Sequence, residues 1–275
     1  GVIQTPRMFL ISPDGIILGR GLDTPSMEYL LEQELAAAEF QYGSPEAEEL
    51  FDRLLGPEPS VYDIVEISDM LAASTIDKGN VKMFKQLVGD FLYYLAPKSR
   101  QAYRYGLNQH IDKYILSRPD IWNTEDDSLK IVGFARIMHD LVNKAPSGEK
   151  IAPIKVRGTL LKGGKEKSKN KKLSKLKGKV NYIIFHTTGC PVGAAEIEEA
   201  RALSEAYGKI NIFLVNIDEV MASSPSKATE LFDAFDLSVL PHIVLTDENN
   251  IVRSCYVSLI DSRVMETYPL VGQVY

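Results

Sequence analysis

The chain has 275 residues, of which 45% are hydrophobic and 25% charged, and its net charge is -6. The length suits two compact domains, and the composition is that of an ordinary globular protein. Two cysteines exclude a disulfide-rich secreted scaffold. No apolar run approaches the roughly 20 residues of a membrane-spanning helix, so we predict that the protein is not embedded in a membrane.

The N-terminal residues predict a β-hairpin followed by a helix. Apolar residues on both sides of a Ser-Pro-Asp-Gly turn at 12–15 favour the hairpin, over residues 7–20. Thr24 before Pro25 is typical of a helix start, and the predicted helix covers residues 25–40.

Residues 46–148 predict an all-helical domain, because apolar residues recur there at helical spacing without a convincing strand. Breaks divide it into about five helices. The breaks fall at Gly56-Pro57, Pro97, Pro119 and residues 143–148. We interpret His110 and His139 as core or interface residues.

The segment 162–179 contains nine lysines and one acid, a net charge of +8 that leaves -14 for the rest of the chain. Such a run can contact phosphates or anionic lipid. Because it contains no aromatic residue, we interpret it as a solvated, flexible loop. Since the rest of the protein is acidic, we predict no binding to nucleic acid.

Residues 149–275 predict an α/β domain in which strands alternate with helices after a short strand region at 151–161. The predicted strands are 180–185, 210–215, 242–245 and 251–257, and the predicted helices are 194–207 and 227–235. This order predicts a largely parallel sheet with helices on both faces, made mixed by an antiparallel hairpin of the last two strands.

Cys190 lies in the segment 185–193 (FHTTGCPVG), where a buried strand ends and a helix begins. A thiol at that position meets unpaired backbone N–H groups and the positive end of the helix dipole, which favour the thiolate. Cys190 is therefore the candidate nucleophile. The alternative is a buried, inert cysteine, since free cysteine is among the most buried residue types.

The segment 180–196 resembles the strand, redox turn and helix of thioredoxin-like proteins, especially the extracytoplasmic thiol-disulfide oxidoreductases of the TlpA and ResA type. The resemblance covers about residues 151–275. It implies that Cys190 is the attacking cysteine and that Leu240-Pro241 forms the cis-proline turn, which lies against that cysteine and helps to bind the substrate backbone.

The helical domain is similar, more weakly, to uncharacterised helical domains that precede thioredoxin modules in exported proteins of Bacteroidetes. The two resemblances together imply a periplasmic or otherwise extracytoplasmic location.

The sequence departs from the family pattern at several positions. Gly193 stands where the family has the second, resolving cysteine, and Ile184 stands where thioredoxin has a buried acid. His186 and Gly189 replace two tryptophans. Cys190 alone can still form a mixed disulfide, with release left to an outside thiol such as glutathione or a partner protein.

His242 follows the predicted cis-proline. We predict it either as an imidazolium that stabilises the Cys190 thiolate or as an exposed strand residue. Cys255 is expected one or two strands from Cys190. We predict no disulfide between them, because the two α-carbons would have to lie within about 7 Å.

Residues 5–10 align without a gap to residues 240–245, which predicts that the start of the chain repeats part of the same module. We interpret residues 1–43 as a hairpin-helix segment that resembles the C-terminal half of a thioredoxin-like module. An isolated hairpin is marginally stable, so it should dock on a neighbouring sheet, swap between molecules in a dimer, or be the remnant of a truncated domain.

Two functions follow from these features. The first is thiol-disulfide oxidoreductase or isomerase activity through Cys190, with Pro241 and His242 as further site residues and protein or peptide thiols and disulfides as partners. The second is a non-catalytic module that binds a protein or peptide, because fold does not fix function. We predict no cofactor and no metal.

Overall fold

The computed structural model describes residues 8–11, 17–22, 41–76 and 79–260. Strands β1 (Met8–Ile11) and β2 (Ile17–Leu22) pair antiparallel as a two-stranded sheet, which confirms the predicted hairpin. Among the described residues, these two strands pair only with each other. The helix predicted at 25–40 lies outside the described residues.

Five helical segments follow among the described residues. The predicted breaks at Gly56-Pro57, Pro97 and Pro119 lie at three of the four divisions between them, whereas the division between the second and third segments, after Ile76, was not predicted. The π-helical turn Asp112–Leu116 extends the fourth helical segment. The fifth begins with a short helical turn, Glu125–Asp127, followed by the π-helical turn Ser128–Val132. The helices are α1 (Pro45–Leu55), α2 (Val61–Ile76), α3 (Val81–Leu95), α4 (Gln101–Ile111) and α5 (Gly133–Val142).

Local signals set the ends of these helices. Ser44 caps α1 by accepting a hydrogen bond from the Ala47 N–H, and Pro45 occupies the first turn. Gly56 ends α1 with a φ of 68°, a conformation that favours glycine. Thr124 and Asp127 form a reciprocal capping box. The helical segments enclose a core of fully buried aromatic and aliphatic side chains, among them Phe51, Phe84, Phe91, Leu107 and Ile111.

The C-terminal unit is a six-stranded mixed sheet in the order β4-β3-β6-β5-β7-β8. Its strands are β3 (Lys155–Lys162), β4 (Lys165–Lys172), β5 (Val180–His186), β6 (Ile210–Asn216), β7 (His242–Asp247) and β8 (Val252–Cys255). Its helices are α6 (Pro191–Ala206), α7 (Ile217–Ser223) and α8 (Pro225–Ala234).

The expectation of a largely parallel sheet is wrong, because among these strands only β5 and β6 pair in parallel. The chain passes through two helices, α7 and α8, between β6 and β7. Strand β7 then starts at the edge of the sheet where β5 and β6 end, and it runs antiparallel to β5. The sequence-based reading missed α7, which starts immediately after β6.

The interpretation of residues 162–179 as a flexible loop is also wrong. Residues 165–172 of this segment form β4, which pairs with β3 along its whole length. β3 supplies the backbone partners, and the edge position keeps nearly all of the lysine side chains in water. Leu173 and Leu176, which follow β4, are buried in the core and fix its end.

Helices cover both faces of the sheet, as predicted. Helix α6 packs on one face, where Ala200 and Leu203 contact a cluster of sheet residues. Helices α7 and α8 cover the other face around Phe185 and Phe213. Within the described ranges, no helix is both long and apolar enough to cross a membrane.

Candidate functional site: a single thiol at the start of helix α6

Cys190 is the N-cap residue of α6, between the end of β5 and Pro191 at the first helical position. Its backbone is extended, with φ of -80° and ψ of 115°, and its side chain is half-buried. The Gly193 N–H lies 3.4 Å from the Cys190 Sγ and donates to it. The sulfur thus takes the capping role that a serine or aspartate oxygen usually has. It lies at the N-terminus of a 16-residue helix, where the first backbone N–H groups have no partner within the helix.

The turn before Cys190 is held by the end of β6, the strand parallel to β5, and by the first turn of α7. The Thr188 N–H donates to the Asp218 Oδ2 at 2.7 Å, and the Asn216 amide donates to the Thr188 Oγ1 at 3.0 Å. Gly189 has a φ of 78°, which a residue with a side chain rarely adopts. Sequence reasoning missed Asn216 and Asp218. The usable signal was their place at the carboxyl end of β6, the strand parallel to β5.

Gly193 occupies a position where a second cysteine would fit. A Cβ built on Gly193 lies 3.5 Å from the Cys190 Cβ and 3.7 Å from its Sγ, both ordinary contacts. Cβ atoms joined by a disulfide lie about 3.5 to 4.5 Å apart. The backbone therefore keeps the spacing of a two-cysteine site, and only the second sulfur is missing.

Pro241 lies beside this turn. The Leu240-Pro241 peptide bond is cis. His242 pairs with Phe185 in the register of β7 against β5, so Pro241 stands next to the end of β5 from which the Cys190 turn departs.

Residues 135–258 match the family described as TraF, the F plasmid transfer operon protein. The C-terminal unit has a thioredoxin-like fold, with parallel β5 and β6 at the centre of the sheet, antiparallel β7 and β8 beside them, and a cis-proline before β7. The matched region starts in α5 and runs through the whole sheet.

Two solved structures from Bacteroides are similar to this chain at low identity. A thioredoxin-like protein from Bacteroides caccae ATCC 43185 is 16% identical with a TM-score of 0.48, over 99% of this chain and 100% of its own. The C-terminal domain of an uncharacterized protein from Bacteroides fragilis NCTC 9343 is 16% identical with a TM-score of 0.33, over 45% of this chain and 96% of its own. No curated protein matches the chain.

Both predictions for His242 in the thioredoxin-like unit are wrong. Its side chain is 2% exposed, stacked beside Phe185 and edge-on to Tyr256, with ring centroids 4.7 Å apart in the second pair. Burial lowers its pKa to about 4, although Asp236 acts in the opposite direction. His242 is therefore neutral near pH 7 and supplies no imidazolium. Its Nδ1 has no hydrogen-bond partner among the described residues.

The helical unit packs Arg104 of α4 against Asp236 and the Tyr256 ring, and Tyr256 in turn contacts His242. Arg104 is fully buried and forms an ion pair with Asp236. Tyr256 donates a hydrogen bond from its hydroxyl to the Asp236 Oδ2 at 2.8 Å, and the Ser238 N–H donates to Oδ1 at 3.1 Å. We call Arg104, Asp236, Tyr256 and His242 the interface cluster.

The charge of Asp236 depends on its partners. Burial alone would raise its pKa, but Arg104 and the hydroxyls of Ser238 and Tyr256 outweigh burial and hold the pKa below its usual value. Asp236 therefore stays ionised next to Arg104. The segment that leads from this anchored aspartate to the cis-proline is only four residues long.

Neither position 184 nor position 186 places an acid or an imidazolium near the turn. Ile184 is fully buried, and burial lowers the pKa of His186, which favours its neutral form. Cys255 lies on β8, where its Sγ is 3.3 Å from the Ala145 carbonyl oxygen. Burial raises the pKa of Cys255 to about 12, so it is a protonated thiol at neutral pH. Both cysteines are free.

Proposed function

We propose that this protein exchanges disulfides through Cys190 alone, as a thioredoxin-like thiol-disulfide oxidoreductase or isomerase without a resolving cysteine. The observation that carries the proposal is the half-buried Cys190, whose sulfur caps a long helix and accepts a hydrogen bond from the Gly193 N–H. Helix N-termini stabilise a thiolate, which is the nucleophile in disulfide exchange.

The proposed reaction has two balanced steps. The Cys190 thiolate attacks one sulfur of a substrate disulfide, forming a mixed disulfide and releasing the other sulfur as a thiolate. A thiolate of the substrate or of an external thiol then attacks the mixed disulfide and returns Cys190 to the thiolate. No electrons are stored on the protein, because it offers no second thiol next to Cys190.

The second step needs an outside thiol for a structural reason. Cys255 is buried and protonated, so it cannot serve as the resolving thiol. We propose glutathione, a partner protein or a second substrate cysteine in that role, and the backbone beside cis-Pro241 as the place where an extended substrate segment binds. We also propose an extracytoplasmic location, as the family resemblance implies, where substrate disulfides persist.

The test is isomerisation of scrambled ribonuclease in a glutathione buffer. We expect the full chain to accelerate recovery of ribonuclease activity, Cys190→Ser to lose the acceleration, and the matched control Cys255→Ser to keep it. Loss of the acceleration in Cys255→Ser, or its survival in Cys190→Ser, would contradict the proposal. If the chain binds a partner equally well with and without the Cys190 thiol and accelerates nothing, the non-catalytic binding module replaces it.

The variant Gly193→Cys sharpens the test, because the built Cβ lies within disulfide distance of Cys190. We expect this variant to form an intramolecular disulfide on mild oxidation and to reduce insulin with dithiothreitol, and we expect the natural chain to reduce insulin poorly. Gly208→Cys, in open space at the far end of α6, is the matched control and should gain neither property.

A further inference from the structure

Strand β4 is an edge of the sheet with one uniformly charged face. Within the described part of the chain only β3 pairs with it, so its outer backbone N–H and C=O groups have no strand partner. Side chains alternate between the faces of a strand. The residues at 165, 167, 169 and 171 are all lysines, whereas the other face carries Glu166, Ser168, Asn170 and Lys172.

The two faces of β4 have different surroundings. Glu166 forms an ion pair with Arg201 of α6 at 2.7 Å, so its face looks toward α6. The four lysines therefore project from the opposite side of the sheet. We call Lys165, Lys167, Lys169 and Lys171 the lysine ladder.

The charge of the lysine ladder is not neutralised locally. None of its four members forms a salt bridge with a described residue, whereas Lys85, Lys113 and Lys227 elsewhere do. Three of the four side chains are exposed, and Lys171 is half-buried. Alternate residues of a strand are about 6.6 to 6.8 Å apart, so the ladder presents positive charges at regular spacing.

We propose that β4 binds an acidic, extended peptide segment that joins the sheet as a further strand. In such an added strand, alternate aspartates or glutamates would lie directly opposite the ladder lysines, where cross-strand pairs of opposite charge are favourable. The free edge of β4 supplies the backbone hydrogen bonds of strand addition, and the lysine ladder supplies the selectivity. This surface is separate from disulfide exchange at Cys190 and does not depend on it.

Two features favour a short acidic peptide over other anions. Lysines on an edge strand hinder pairing with neutral or basic strands, but the same charges attract an acidic one. Outside residues 162–179 the chain carries a net charge of -14, which would repel a long nucleic acid or an anionic membrane extending beyond β4. A single added strand contacts only the basic segment.

The experiment is fluorescence anisotropy of the full chain with a labelled nonapeptide in which glutamate alternates with threonine. We expect saturable binding, and slowed hydrogen exchange of the β4 amides in the complex. Lys167→Glu with Lys169→Glu should weaken binding by about tenfold or more. The matched control is Lys155→Glu with Lys172→Glu, a cross-strand pair on the other face with the same change of charge, and it should weaken binding by less than about threefold.

A second peptide of the same composition, with its glutamates in one block, distinguishes strand pairing from simple attraction of charge. The proposal is wrong if both peptides bind equally, if the two double variants weaken binding equally, or if no binding occurs. It is also wrong if a single-stranded oligonucleotide or phosphatidylserine vesicles bind more tightly than the alternating peptide at the same salt concentration.

Discussion

The turn around Cys190 and the interface cluster are built differently. The turn depends on hydrogen bonds in contact with water, such as that from the Thr188 N–H to Asp218. The interface cluster is buried and combines an ion pair, a phenol and a neutral imidazole from both units of the chain. The reactive group thus lies in a turn in contact with water, whereas substitutions in the buried interface cluster should cause the larger losses of stability. Chemistry and stability should therefore be separable by substitution.

The largest expected effect is the loss of stability in Arg104→Met. Removing this buried charge leaves Asp236 ionised without its main partner, and breaking a buried ion pair from one side costs about 3 to 5 kcal/mol. Urea unfolding followed by circular dichroism measures the change in the free energy of unfolding. The control Arg100→Met, at an exposed position one turn earlier, should change it by less than about 1 kcal/mol. Equal changes in the free energy of unfolding for the two substitutions would contradict the stabilising role of the interface cluster.

The next effect separates the two cysteines. Because burial raises the pKa of Cys255 to about 12, only about one molecule in 10⁴ carries that thiolate at pH 8. We expect iodoacetamide to alkylate Cys190 at least about 100-fold faster than Cys255 in the folded protein. Peptide mapping by mass spectrometry measures both rates. In urea the two rates should converge, and a ratio near one without urea would show that Cys190 is not the accessible thiol.

A smaller effect is a loss of stability on mild acidification. Burial lowers the pKa of His242 and of His110 to about 4 from 6.5, so unfolding takes up protons between these values. Each histidine contributes stability above pH 6.5 that is lost as the pH falls toward 4, on the order of 1 kcal/mol per pH unit. Asp90 and Glu196 act in the opposite sense, because burial raises their pKa.

The variant His242→Phe isolates this contribution at the interface. It keeps an aromatic ring between Phe185 and Tyr256 and removes the unpartnered Nδ1. Unfolding measured at several values between pH 4 and 7 should show a shallower dependence on pH than the natural chain. An unchanged dependence would mean that His242 does not titrate as its burial requires.

The smallest expected effect concerns the turn. Asp218→Ala removes the acceptor of the Thr188 N–H and should lower the free energy of unfolding by about 1 kcal/mol, as is usual for one hydrogen bond. Glu219→Ala, at the next position in the same first turn of α7, should cost less. Thermal unfolding of the two variants measures the difference, and a larger cost for Glu219→Ala would refute the role given to Asp218.

The sequence predicted the parts of the site that depend on neighbouring residues. The strand, the turn and the helix around Cys190 follow from an apolar run, a glycine, a capping position and Pro191, all within about a dozen residues. Most ends of the helical segments were predictable for the same reason, because Gly56, Pro97 and Pro119 interrupt the helical periodicity there, but the division between Ile76 and Val81 was missed.

The features that were missed depend on distant partners. Arg104 and Asp236 are 132 residues apart in the sequence, so nothing local to His242 showed that a buried ion pair would form near it. Residues 165–172 form strand β4 because they pair with β3, and their lysine-rich sequence gives no apolar alternation from which a strand could be predicted. Helix α7 begins directly after β6 without a loop, capped by the Asn216 side chain, so no break in the pattern marks it.

Direct trapping of a mixed disulfide tests the central claim, that Cys190 is the exchanging thiol. The full chain is incubated with oxidised glutathione, quenched in acid, and analysed by intact mass and peptide mapping. We predict one glutathione adduct, located on Cys190 and removed by added reduced thiol, with Cys255 unmodified. An adduct on Cys255, or none on Cys190 under conditions that modify a free cysteine peptide, would contradict it.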